Sequence, residues 1–168
     1  MRILFISDIH GNKECLRVLR KERFDQLIVL GDIYSYGYNE EDDKDTVKEL
    51  LNYKSKLVCL KGNSDIDNEE LFSKDKSIKF VTDNILFRCD HGDKFNYHNA
   101  SFIDEKGVLI YGHEHVPYIK KIDNMVYVCV GSLGKPRYGS KASYAIYDKS
   151  NLIIYSIDKE IIDSIKLK

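Results

Sequence analysis

At 168 residues the chain has the length of one ordinary domain, and with 43% hydrophobic residues it can bury a sizeable core. Charged residues make up 32%, and no stretch approaches the roughly 20 apolar residues of a membrane helix, which excludes a membrane-embedded or low-complexity chain. Lys and Arg number 26 against 27 Asp and Glu, a formal net charge of −1, which argues against the basic footprint of a nucleic-acid binder.

The first apolar run, residues 3–6, ends in Ser7-Asp8-Ile9-His10-Gly11-Asn12. Leu16, Val18 and Leu19 then share one side of an amphipathic segment, Lys13, Arg17 and Arg20 lie off it, and Asn12 stands where an N-cap would. A second run, residues 27–30, leads to Gly31-Asp32 and a loop bearing Tyr34, Tyr36 and Tyr38. Asn39 and the acidic residues 40–43 begin a helix with negative charge at the favourable end of its dipole, and Val47, Leu50 and Leu51 form its apolar stripe. A third run, residues 57–60, leads to Gly62-Asn63-Ser64-Asp65, with a weaker helical segment across 67–73. Repetition of strand, polar motif and helix implies parallel strands with right-handed crossovers, which place ligand sites beyond the strand C-termini. The three motifs should therefore converge on one edge.

After residue 78 the pattern turns to short strands at 85–89, 108–111, 126–130, 144–147 and 152–157. Asp123-Asn124 and residues 148–151 read as hairpin turns, and 159–168 fits either a helix or a strand. The fold class is α/β: two mixed β-sheets packed face to face with helices outside, a four-layer α/β/β/α sandwich. Cys59, Cys89 and Cys129 lie in or beside apolar runs and, like Cys15, belong to no CxxC pair, so they read as core residues of a protein kept reduced. The N-terminal apolar run is too short for a signal peptide, and a cytoplasmic location is the expectation.

Of five histidines, four fall in glycine- or aspartate-bearing motifs at strand ends: His10, His91 in Asp90-His91-Gly92, and His113 with His115 in Gly112-His113-Glu114-His115. Asp8 and His10, two apart on an extended segment, would point to one side, as would His113 and His115. Asp32 and Asn63 each follow a glycine. Carboxylate, imidazole and amide oxygen together suit Mn²⁺, Fe²⁺, Co²⁺, Ni²⁺ or Zn²⁺ better than the hard cations. Seven ligands (Asp8, His10, Asp32, Asn63, His91, His113 and His115) exceed one ion's needs and suit two.

The ordered set Asp-x-His, Gly-Asp, Gly-Asn-x-Asp, His-Gly and Gly-His-x-His resembles the calcineurin-like metallophosphoesterase superfamily, and the length and opening motif resemble its small bacterial and archaeal phosphodiesterase branch. The resemblance implies one metallophosphoesterase domain across 1–168. It implies that Asp8, His10, Asp32 and His115 hold one divalent ion and that Asp32, Asn63, His91 and His113 hold the other, with Mn²⁺ the first choice and Asp32 the bridge. Asp32, Asn63 and His91 would then serve catalysis, in which hydroxide held between the ions attacks a small phosphate ester in line. Larger phosphatases of the superfamily carry a histidine after the Gly-Asn asparagine, where this chain has Ser64. Without that general acid the expectation moves from monoesters towards diesters. Asp65 reads as structural support or a helix cap, Asp90 and Glu114 as added negative charge near the site, His98 as a solvated loop residue, and the three tyrosines after Asp32 as structural. Arg137 is a candidate phosphate clamp. A nucleotide phosphatase or pyrophosphatase is the alternative within the class. A non-catalytic protein-interaction scaffold of the same fold is the alternative outside it, separated by completeness of the ligand set.

Overall fold

The computed structural model describes residues 1–37, 39–99 and 106–168. A six-stranded sheet is built from β1 (Ile3–Ile6), β2 (Gln26–Val29), β3 (Leu57–Cys59), β9 (Ser143–Asp148), β10 (Asn151–Ser156) and β11 (Ile161–Lys166), in the order β11-β10-β9-β1-β2-β3. A five-stranded sheet contains β4 (Ile78–Thr82), β5 (Ile85–Cys89), β6 (Gly107–Tyr111), β7 (Tyr118–Ile122) and β8 (Met125–Cys129), in the order β4-β5-β6-β8-β7. Both are mixed: β1, β2 and β3 run parallel, as do β5, β6 and β8, and the outer pairs are antiparallel.

Alternation along the central strands decides the layering. Ile3 and Phe5 face inward with Phe87, Val108, Ile110 and Val128 in the core between the sheets, while Leu4 and Ile6 face the other way. There they meet Cys15 and Leu16 of a short 3₁₀ turn, Val18 and Leu19 of α1 (Arg17–Lys21), and Leu50 of α2 (Glu40–Leu51). Buried aliphatic and aromatic side chains of this kind stabilise by about 1.5–3 kcal/mol each. The outer face of the five-stranded sheet presents Leu109, Tyr111, Met125 and Tyr127, against which Tyr97 packs. Among the described residues that face carries no helix, and the described helices pack on the other sheet. No helix of the described residues is long and apolar enough to cross a membrane.

Three local expectations change. Segment 67–73 is a turn rather than a helix: Asn68 Oδ1 accepts from Glu70 N and Leu71 N at 3.1 and 3.2 Å, a side-chain bond that competes with helical pairing. Asn12 stands before the 3₁₀ turn but its side chain makes no capping bond, and its amide donates to Gly134 O at 3.2 Å. Strands β4 and β7 were not anticipated, and 159–168 resolves to β11; all three are sheet edges whose lysines and mixed burial hide the apolar run. Both hairpin turns form, at 123–124 and 148–151.

Candidate metal centre

Parallel strands end on the same side, and the sequence puts a polar motif at each such end. Asp8 follows β1, Asp32 follows β2, Asn63 follows β3, His91 follows β5, and His113 and His115 follow β6. The loops are tied to one another by main-chain bonds: Ile9 N and His10 N reach Asp32 O at 2.8 and 3.1 Å, and Gly112 N reaches His91 O at 2.9 Å. Glycines permit the approach. A Cβ on Gly112 would lie 2.5 Å from Asp8 Oδ2, and one on Gly62 would lie 2.5 Å from Asp32 N, so neither position admits a side chain.

The seven ligand candidates come together, but not as extended segments. Asp8, His10, Asp32, His113 and His115 all have φ between 50° and 62°. The left-handed region is sparsely used by residues other than glycine, and its concentration at one locus is the strain that functional sites store. Side chains two apart therefore converge through buried turns that the neighbouring loops enforce, not through strand geometry.

Potential ligand atoms of Asp8, His10, Asp32 and His115 lie within 4.8 Å of one another, and so do those of Asp32, His91 and His113. Asp32 belongs to both groups. Asn63 joins the second, its Oδ1 3.0 Å from His91 Nε2. Three imidazoles are locked by carbonyl oxygens, which only accept: His10 Nδ1 on Tyr34 O (3.3 Å), His91 Nδ1 on Leu30 O (2.8 Å) and His115 Nδ1 on Lys135 O (2.5 Å). Each Nδ1 must donate, so each neutral ring turns an Nε2 lone pair into the site. Those lone pairs meet further acceptors. His115 Nε2 is 3.3 Å from His10 Nε2 and 3.1 Å from Asp8 Oδ1, and His91 Nε2 is 3.4 Å from Asp32 Oδ1.

Asp8 Oδ1 is a buried oxygen with no hydrogen-bond partner, although its twin Oδ2 accepts His113 N at 2.9 Å. Acceptors crowded against acceptors in a buried place are costly unless a cation lies between them, so this donor set fits divalent metal. The charge shifts divide. Burial works against a carboxylate at Asp8, yet the close approach of His115 and the charges of His91 and His115 outweigh it and hold the carboxyl below its ordinary range. Burial likewise opposes a charged His115, and Asp8 overcomes it and raises the imidazole. At His10 and His113 burial wins and lowers both, favouring the neutral form that ligates.

Asp65 is the structural brace foreseen, with no helix to cap: Oδ1 accepts Ile33 N (2.7 Å) and Tyr34 N (3.1 Å), and Oδ2 accepts Asp32 N and Gly62 N (both 2.8 Å). Ser64 grips the shared carboxylate, N to Asp32 Oδ1 at 2.9 Å and Oγ to Oδ2 at 3.1 Å, a contact its place in the motif did not reveal. Asp90 and Glu114 turn to other partners: Asp90 Oδ1 accepts Gly92 N at 3.0 Å, and Glu114 accepts the Tyr118 hydroxyl at 3.0 Å.

Tyr34 is buried, with its hydroxyl accepting from Asn68 at 3.0 Å, and Tyr38 lies outside the described residues. Tyr36, read as merely structural, stacks on His10 with ring centroids 4.3 Å apart. Its hydroxyl accepts from Arg137 Nη2 at 3.0 Å, which brings that arginine to the rim. His98 is exposed, 4.0 Å from Glu114.

Two clefts open from this centre. One, about 450 Å³, is lined by Asn63 and His91 together with Lys61, Lys76, Lys94 and Phe95. The other, about 440 Å³, is lined by His113 with Asn96, His98, Glu114 and Arg137. His91 and His113 stand between them, Nε2 to Nδ1 at 3.3 Å.

Residues 1–152 match the family model of the calcineurin-like phosphoesterase superfamily domain. Phosphodiesterase YfcE of Escherichia coli (strain K12) is 25% identical over 96% of this chain and 95% of its own, and a solved structure of that phosphoesterase superposes with a TM-score of 0.86 over all of both chains. The uncharacterized protein MJ0912 of Methanocaldococcus jannaschii is 26% identical over 90% of this chain and 84% of its own. Vps29 of Entamoeba histolytica, in a crystal structure with Zn²⁺, shares the fold at a TM-score of 0.68 and 18% identity, covering all of both chains.

Proposed function

This chain belongs to the calcineurin-like phosphoesterase superfamily, and on that premise we propose that it is a dinuclear metal-dependent phosphodiesterase acting on a small substrate. It is a metal-dependent phosphoester hydrolase, and the finer reading concerns how many ions, which residues and which esters. The observation that carries it is the sharing of Asp32 between two clusters of inward-turned acceptors. Asp8, His10, Asp32 and His115 would hold one ion, and Asp32, Asn63, His91 and His113 the other.

Two divalent cations, when bound, neutralise phosphoryl oxygens and make a water acidic enough to lose its proton near neutral pH. The chain's own part is placement. Ser64 and Asp65 fix the shared carboxylate and its loop, the Nδ1–H bonds aim the imidazoles, and Arg137 stands at the rim for a phosphoryl oxygen. Water adds to phosphorus and the ester oxygen leaves, with no enzyme-bound intermediate. Cysteine is unsuited to nucleophilic attack here, since all four thiols are buried and burial pushes Cys15 up to about 12 and the other three well above their ordinary value.

The diester preference has two supports. Ser64 replaces a leaving-group acid and is occupied with Asp32. Two clefts diverge from the metal centre, which suits a phosphorus carrying an ester group on each side. Mn²⁺ is the first choice for a mixed carboxylate, imidazole and amide set. We read 1–168 as one domain because β11, beyond the matched residues, completes the edge of the six-stranded sheet. The test is hydrolysis of bis-p-nitrophenyl phosphate with and without Mn²⁺. Turnover that requires metal is expected, and folded protein inert with Mn²⁺, Fe²⁺, Co²⁺, Ni²⁺ and Zn²⁺ alike would sink the reading and favour the scaffold alternative.

A further inference from the structure

The two clefts are chemically unlike. That beside His113 mixes Arg137 with Glu114. That beside Asn63 and His91 draws three lysines from separate places in the chain, Lys61 from the loop after β3, Lys76 from the segment before β4 and Lys94 from the loop after β5. Its acids are largely committed: Asp65 to four main-chain N–H groups and Asp90 to Gly92 N, which leaves Asp93 facing the cleft. Lys61 also reaches Asp67, an exposed and therefore weak pairing.

Phe95 lines the same cleft. The residue is 36% exposed, high for a phenylalanine, and the Arg88 guanidinium carbon lies 4.4 Å from its ring centroid, so the ring is held in place from one side. An excess of ammonium groups beyond what a single phosphodiester needs, with a steadied aromatic surface among them, fits a ligand carrying additional phosphate and a flat ring.

We propose that this cleft holds a nucleoside phosphate, so that one of the two groups on the reacting phosphorus is a nucleotide, with its further phosphate on Lys61, Lys76 and Lys94 and its base on Phe95. The assignment rests on the phosphodiesterase reading for its place in catalysis but not for the binding itself. Calorimetric titration of the full chain with ADP, in chelator and again in Mn²⁺, tests it. Lys76→Glu with Lys94→Glu should weaken ADP at least about tenfold, the size expected when two phosphate contacts turn repulsive. Phe95→Ala should cost about fivefold and remove the advantage of ADP over pyrophosphate, as loss of base stacking does.

Lys106→Glu with Lys121→Glu, at the far end of β6 and β7, controls for general charge and should leave ADP binding unchanged. Equal weakening by both pairs, or pyrophosphate binding as tightly as ADP, would overturn the inference. Metal-dependent hydrolysis of bis-p-nitrophenyl phosphate by wild type that binds no ADP would overturn it too, yet leave the esterase standing. ADP binding that Lys76→Glu with Lys94→Glu abolishes, in a protein that hydrolyses nothing, would keep the cleft and remove the esterase.

Discussion

The two halves of the metal centre share Asp32 and are otherwise enclosed differently. Asp8, His10 and His115 are buried on every side, and His10 is further covered by the ring of Tyr36. In the other half only His91 is buried: Asn63 is exposed, His113 is partly so, and both clefts open there. A dry half whose ligands are all buried suits tight retention of an ion, while an open half suits exchange and the approach of substrate. On the dinuclear reading proposed above, the difference gives the halves unequal tasks, one holding and one working.

The sharpest way to break that division is at the residue common to both. Asp32→Asn removes the charge that two cations would share and should cut kcat for bis-p-nitrophenyl phosphate by about 10³-fold or more, with circular dichroism unchanged. Metal analysis should fall from two ions per chain towards one or none. A rate within tenfold of wild type would mean that Asp32 does not bridge.

The next test sets the halves against each other. His113→Ala should lose about 10²-fold in rate, mostly recovered by excess Mn²⁺, and should retain one tightly bound ion. His115→Ala, in the dry half, should lose both ions after dialysis and recover little. Equal losses and equal rescue in the two variants would erase the distinction drawn from burial.

How much of this was legible in the sequence depends on the physics of each element. Residues 3–6 and 27–30 were plain because central parallel strands are apolar on both faces, and the glycines before Asp32, Asn63 and His113 marked where they stop. Edge strands β4, β7 and β11 were obscured because lysines such as Lys79 and Lys120 interrupt them, as edges require. The candidate ligands were readable from residue type, but the left-handed backbone of Asp8, His10, Asp32, His113 and His115 was not, since it is imposed by loops that meet only in the fold. Lys61, Lys76 and Lys94 form no motif at all, and only topology gathers them.

The brace beneath both halves yields a smaller effect, read as stability. Asp65→Ala would leave four main-chain N–H groups around Asp32 and Gly62 without their acceptor. Losing such buried partners costs about 3 kcal/mol or more. At roughly 2–4 °C per kcal/mol for a chain of this size, Tm should fall by about 6–12 °C. Asp65→Asn, which keeps one carbonyl oxygen, should lose about half as much. Activity should drop in both along with the ordering of Asp32, and a Tm shift below about 2 °C in the alanine variant would show that the loops hold without the brace.

Ser64 offers the finest probe, because it touches the shared carboxylate with two groups of which mutation removes only one. The main-chain bond from Ser64 N to Asp32 Oδ1 survives in Ser64→Ala, while the hydroxyl bond to Oδ2 is lost. Oδ2 is the oxygen that faces the dry half, 3.8 Å from His10 Nε2, and Oδ1 faces the working half, 3.4 Å from His91 Nε2. Freeing Oδ2 alone should therefore loosen the carboxylate towards the holding half without disturbing the cleft side. The expected outcome is a fall of about three- to tenfold in kcat with KM unchanged, since a hydrogen bond to a charged group contributes about 1.5–3 kcal/mol at most and this one is only partly buried. Ser64→Thr, which restores a hydroxyl, should return most of the rate. A change in KM rather than kcat would place Ser64 against substrate instead of against Asp32.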